Sequence, residues 1–135
     1  MTDPRMSEGQ STGRRITIRA DDVTIDGELN DSPTADMVWD ALPITASAST
    51  WGDEIYFSIP VSAEEDDTAE ETVELGAIAY WPPGSALCLF FGPTPMSQGD
   101  EIRPASAVNV LGMMEGDPTV LRSVRDGTSI EVARV

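Results

Sequence analysis

GAIAYWPPGSALCLFFG, residues 76–92, is the stretch on which the fold turns. Two apolar runs, 76–81 and 86–91, flank a Pro-Pro-Gly breaker. Aromatic and aliphatic residues on either side of such a breaker predict a β-hairpin. Gly92, Pro93, Thr94 and Pro95 follow at once, so the chain must leave strand geometry there. Trp81, Phe90 and Phe91 lie close together in this hairpin. An aromatic hairpin that ends in a proline-framed loop predicts the wall and rim of a pocket.

Working outward, residues 54–59 (EIYFSI) read as a strand stopped by Pro60, and Trp51-Gly52-Asp53 before it as a turn. Ile44 to Thr50 alternates weakly. Residues 62–72 (SAEEDDTAEET) form a strongly acidic stretch, predicted to be a solvated loop. A calcium loop would place Gly at its sharp bend, and none is present. Nearer the N-terminus, RITIR (15–19), Asp21-Asp22 and the run from Val23 predict a hairpin. Residues 32–42 predict a helix. Ser32 is its N-cap, Pro33 takes the first position, and Ala35, Val38, Trp39 and Leu42 recur on one face. Trp39 is expected to plug that helix onto a sheet. Pro43 stops it.

After the aromatic hairpin, residues 93–106 predict a long loop of low apolar content, and loops of that length are often functional. Residues 107–114 predict a strand, Asp117-Pro118 opens a short helix, and 128–134 supplies the last strand. Residues 1–13 are polar and aperiodic, and are expected to be a disordered tail ahead of one domain, 14–135. The sum is a mostly β chain of about eight strands and two short helices. Eight strands close naturally into a barrel with a filled interior, so a closed eight-stranded barrel is the predicted fold.

Charge narrows the function. The 135 residues carry 24 Asp and Glu against 8 basic residues, a formal net charge of −16. Every basic residue is Arg; there is no Lys and no His. Such a surface repels itself in dilute buffer and is relieved by salt, so the chain is expected to be adapted to a salty, halophilic cytosol. Nucleic acid and anionic membranes are predicted not to be partners. Without His, Ser-His-Asp and Cys-His mechanisms and His-ligated metal sites are excluded. Cys88 is the only cysteine, which excludes an intramolecular disulfide. It lies in an apolar run, where an inert buried thiol is expected. No 18-residue apolar run and no hydrophobic leader are present, which predicts a soluble, cytoplasmic location. No cofactor and no metal site are expected.

The order of these elements resembles that of the cyclophilins, over about residues 15–135. VNVLGMMEGDPTVLRSV (108–124) is similar to that family's strand-to-helix segment, EIYFSIP (54–60) to its strand ending in Pro, and SALCLFFGPT (85–94) to its Phe-rich pocket strand. WGDEIYF, YWPPG and FFGPTP together resemble a small prokaryotic and archaeal subgroup of cyclophilin-like barrels of unassigned function. The resemblance implies a groove that takes a proline-containing peptide or a small apolar ligand. Cyclophilins use a groove Arg to isomerise X-Pro bonds, against a barrier of about 20 kcal/mol. At the matching position this chain has Phe57 or Ser58, and no Arg occurs between Arg19 and Arg103. The resemblance therefore implies weak or absent isomerase activity.

Three alternatives stand beside that reading. A true isomerase would use Arg103 as substitute donor. A small-molecule enzyme would use Asp53 or Glu54 as acid or base; as strand neighbours these two point to opposite faces. An interaction module would have no turnover. Ligand contacts are expected from Tyr56, Phe57, Trp81, Phe90, Phe91 and Met113, with Thr94 and Ser97 as hydrogen-bond donors. Only one of Tyr56/Phe57, and one of Phe90/Phe91, can face the interior; Trp51, at a strand–turn junction, is of the exposed-indole type that marks binding surfaces.

Overall fold

The computed structural model describes residues 12–135; the first eleven residues of the expected tail lie outside the described residues. At Thr12, the first described residue, the side-chain hydroxyl donates to the Leu29 carbonyl at 2.6 Å.

Ten strands and one α-helix follow: β1 Arg15–Ala20, β2 Val23–Leu29, α1 Pro33–Ala41, β3 Ile44–Ser47, β4 Ser49–Thr50, β5 Glu54–Ser58, β6 Ala69–Glu70, β7 Ala77–Trp81, β8 Ala86–Phe90, β9 Val108–Met114 and β10 Ser129–Arg134. The described residues also hold two 3-10 segments, Pro82–Gly84 at the hairpin turn and Pro118–Ser123 before β10. Helix α1 forms as its sequence demands. Ser32 Oγ accepts from the Ala35 N–H, Pro33 opens the first turn, and Ala35 and Val38 are buried. Trp39 packs on the core from its rim, with the Arg134 guanidinium 4.5 Å above its ring. The second expected helix is the 3-10 segment, capped by Asp117.

The expected closed eight-stranded barrel is corrected on two counts. The strands form one sheet in the order β3-β10-β1-β2-β9-β7-β8-β5-β4, with β6 added beside β9, and this path is open. Its two ends are consecutive in the chain. The run 44–50 pairs with β10 through β3 and with β5 through β4. Ala48 stands between, its N–H donating to the Thr128 carbonyl at 2.8 Å and its own carbonyl accepting from Gly127 at 2.7 Å. One segment therefore serves both ends of the sheet, and the seam is crossed by polypeptide rather than by a ladder. The second count is β6, which lies inside the acidic stretch where no apolar alternation announces it.

Strand parity separates two cores. Ile55, Phe57, Ile78, Tyr80, Leu87, Leu89 and Leu111 face the main core with β1, β2, β10 and α1. Ala77, Ala79, Cys88, Phe90 and Val108 face the other way and are covered by Ile102 from the long loop. That loop is tied down by a bridge between Ile102 and Val73.

The acidic stretch is pinned to the fold by Asn109, fully buried on β9. Its Nδ2 donates to Thr34 Oγ1 at 3.0 Å and to the Glu64 carbonyl at 2.9 Å, and its Oδ1 accepts from the Asp66 N–H at 2.9 Å. Thr34 in turn donates to Asp66 Oδ2 at 2.7 Å. Burial works to raise the Asp66 pKa, but hydrogen bonds from Thr34 and Thr68 outweigh it and hold the carboxyl below its usual value. Asn109→Ala leaves the Glu64 carbonyl and the Asp66 N–H without these partners and takes one of the two hydrogen bonds from Thr34. It is expected to cost about 2 kcal/mol, read as a lower urea midpoint at unchanged slope; a midpoint equal to the parent's would refute the pinning role.

Candidate functional site

The cavity that combines apolar walls with a buried ionisable group lies on the outer side of the β5–β8–β7 hairpin sheet, beneath the long loop. It holds about 260 Å³ and is lined by Trp51, Glu54, Tyr56, Trp81, Pro104, Ala105 and Val108. Its construction follows from register. Glu54 and Tyr56 stand two apart on β5, opposite Phe90 and Cys88 of β8. Side chains two apart share a face, so both point away from the main core that takes Ile55 and Phe57. Trp81 ends β7 opposite Ala86 and joins them.

The Pro-Pro-Gly turn positions the Trp81 indole. A Cβ on Gly84 would stand 2.8 Å from two ring carbons, so the turn leaves room for the ring to fold back over it. The indole N–H then donates to Ser106 Oγ at 2.7 Å, which joins the hairpin to the end of the loop. Trp51 comes from the turn before β5, held by its N–H to the Glu54 carbonyl at 2.9 Å.

Glu54 is the unusual member. Its side chain is buried, with 5% of the residue exposed. Among the described residues no N–H or O–H donates to its carboxyl; the Cys88 thiol is a weak hydrogen-bond partner. Burial raises its pKa from the ordinary 4.5 to about 7, with the thiol hydrogen bond working weakly against this. Burial, together with the nearby Glu54 charge, pushes the Cys88 thiol well above its usual range, so it stays protonated and unreactive. A desolvated carboxyl that titrates near neutrality can accept or return a proton.

The other candidate residues stand elsewhere. Phe57 and Phe91 are packed in the main core, and Phe90 in the second cluster behind the cavity. Asp53 points outward, 3.6 Å from the Arg122 guanidinium. Thr94 and Ser97 spend their groups within the loop: Ser97 Oγ accepts from the N–H of Thr94 at 2.9 Å and of Arg103 at 3.0 Å, and Thr94 Oγ1 donates to the Arg103 carbonyl. Met113 is exposed beside Asn30 and Val110 on the far part of β9. Arg103 is held by Glu101, Nε to Oε2 at 2.7 Å, with Glu71 at 4.0 Å. It lines a separate hollow behind Pro104 and Ala105.

The structure thus gathers Glu54, Tyr56 and Trp81 from the expected set, with Trp51, the other indole at a strand–turn junction, and adds Pro104, Ala105 and Val108. Pro104 and Ala105 carried no chemical signal of their own. The long loop that bears them did, through its length.

Comparison with known proteins places this architecture. Residues 14–133 match the family described as cyclophilin-like, and the chain belongs to that family. It is similar to a hypothetical protein of Archaeoglobus fulgidus whose structure was determined in solution, with 43% identity, a TM-score of 0.78, and coverage of 97% of this chain and 100% of the other. It shares its fold with McbB, solved in complex with tryptophan, at 15% identity and a TM-score of 0.66, covering 88% of this chain and 44% of McbB. No curated protein matches. Among the described residues no helix is long and apolar enough to cross a membrane.

Proposed function

We propose that this cyclophilin-like domain binds a small, largely apolar ligand in the cavity under the long loop, and that its prolyl isomerase activity is weak or absent. One observation carries the reading: the cavity has aromatic and aliphatic walls and a single buried carboxyl. Such a pocket gives most of its affinity through desolvated apolar area and sets orientation with one polar group. The loss of isomerase chemistry is supported by Arg103, whose guanidinium is engaged by Glu101 and lies behind Pro104 rather than in the cavity. Among the described residues no Arg lines the cavity to polarise a prolyl amide nitrogen there.

A second reading is favoured by Glu54 itself. With a pKa of about 7 it is suited to serve as general base or acid on a bound small molecule. Asp53, turned outward to Arg122, is not suited to that role.

The test uses folded protein in molar KCl. Titration with 3,3-dimethyl-1-butanol, followed by tryptophan fluorescence, is expected to show saturable binding that Trp81→Ala weakens about tenfold. X-Pro peptides are expected to isomerise at the uncatalysed rate. Acceleration that disappears in Arg103→Ala would overturn the proposal in favour of a true isomerase.

A further inference from the structure

Resting on that reading of the cavity, we infer that its ligand is a small organic cation, an alkylated or methylated ammonium. Two features of the cavity carry this. Trp51, Tyr56 and Trp81 contribute three aromatic side chains to one small space. Aromatic faces carry negative quadrupole density and attract ammonium groups, Trp most strongly. At the same wall Glu54 supplies a carboxyl whose hydrogen-bonding capacity is not consumed by any N–H or O–H among the described residues, although 95% of the residue is out of water. A buried carboxyl with only a weak thiol donor beside it calls for an explanation. A cation in the cavity supplies one, since it pairs with the carboxylate and repays its desolvation.

The remaining walls fit the same ligand. Pro104, Ala105 and Val108 are apolar and carry no donor that would compete for the carboxylate. They suit the alkyl surface of a substituted ammonium better than a bare metal ion, which would require several oxygen ligands. Arg103 does not intrude, being bound to Glu101 outside the cavity.

The experiment compares choline with 3,3-dimethyl-1-butanol, its uncharged isostere, in the same KCl buffer. The full chain, Glu54→Gln and Trp51→Leu are each titrated by tryptophan fluorescence, with folding of each verified by near-ultraviolet circular dichroism. Choline is expected to bind the parent about tenfold more tightly than the alcohol. Glu54→Gln is expected to remove most of that preference, weakening choline far more than the alcohol. Trp51→Leu keeps the carboxylate and removes one aromatic face, so it is expected to weaken choline more than the alcohol. Equal binding of both probes by the parent would overturn the cation inference while leaving the apolar pocket standing. Binding of neither would overturn both. A choline preference unchanged in Glu54→Gln would overturn the role given to the carboxylate.

Discussion

Gly112→Ala is expected to be the most damaging single methyl group that can be added to this fold. Gly112 sits inside β9, paired with Leu29 of β2 on one side and Ile78 of β7 on the other. A Cβ there would lie 2.0 Å from the Glu28 carbonyl oxygen and 2.9 Å from the Leu29 Cα. Both obstacles are backbone, so no rotamer change relieves them. Relief requires β2 and β9 to separate, and that ladder is one of the joints around the curl of the sheet. Gly27 lies at the same crossing, with a Met113 carbonyl 2.9 Å from its would-be Cβ. Glycines on both strands let the two backbones approach closely. The expected cost is about 3–4 kcal/mol. Gly127→Ala serves as the comparison: its φ of +88° strains an alanine, but no atom stands within 4 Å of the new Cβ, and the expected cost is only about 1 kcal/mol. Urea unfolding of both variants measures the difference. Equal midpoints would show that the close approach is not what β9 needs glycine for.

The second large effect is on pH dependence. Glu54 has a folded-state pKa of about 7 against an ordinary value of 4.5. A raised carboxyl pKa means that the folded chain holds the proton more tightly than the unfolded chain. The associated stability is therefore fully present below about pH 4.5 and is lost as pH rises through 7. The shift corresponds to about 3 kcal/mol. The groups that face Glu54 do not reverse this sign. Cys88 on β8 stays a protonated thiol, Tyr56 stands beside it on β5, and Trp51, Trp81, Pro104 and Ala105 bring no charge. General acidic repulsion also grows over this range, so the informative quantity is a difference. The stability of Glu54→Gln minus that of the parent is expected to grow by about 3 kcal/mol from pH 4.5 to pH 8. A constant difference would place the Glu54 carboxyl in water and remove the physical basis of the site.

Local structure was the legible part of this chain. Ser32 and Pro33 announced the start of α1, and the Pro-Pro-Gly turn set the pairing of β7 with β8. Alternation in EIYFSI was enough to put Glu54 and Tyr56 on one face and Ile55 and Phe57 on the other, though not to say which face was inside. That choice depends on partners distant in sequence. β9 lies between β2 and β7, and nothing in VNVLGMM names those neighbours. The same run did hold one sign of them: Asn109 breaks an otherwise apolar strand, and the structure makes it the pin for the acidic stretch. The requirement for Gly112 becomes visible only when Glu28 is brought against it. Closure of the sheet was overestimated because Ile44–Thr50 was counted as one strand, whereas Ala48 divides it between the two ends.

The division at Ala48 also bears on the order in which the sheet is assembled. β1–β2 and β7–β8 are hairpins and pair at once. β10 must find β1 on one side and β3 on the other, each from a distant part of the chain. Non-local pairings of this kind form slowly. Until β10 docks, β1 and β3 both present unpaired edges, the templates on which chains aggregate. Arg15 and Arg19 are exposed on β1, with Glu28 of β2 opposite Arg15, and the net charge of −16 is expected to hold two half-assembled molecules apart. The same charge that is expected to strain the finished fold in dilute solution would then guard the unfinished one.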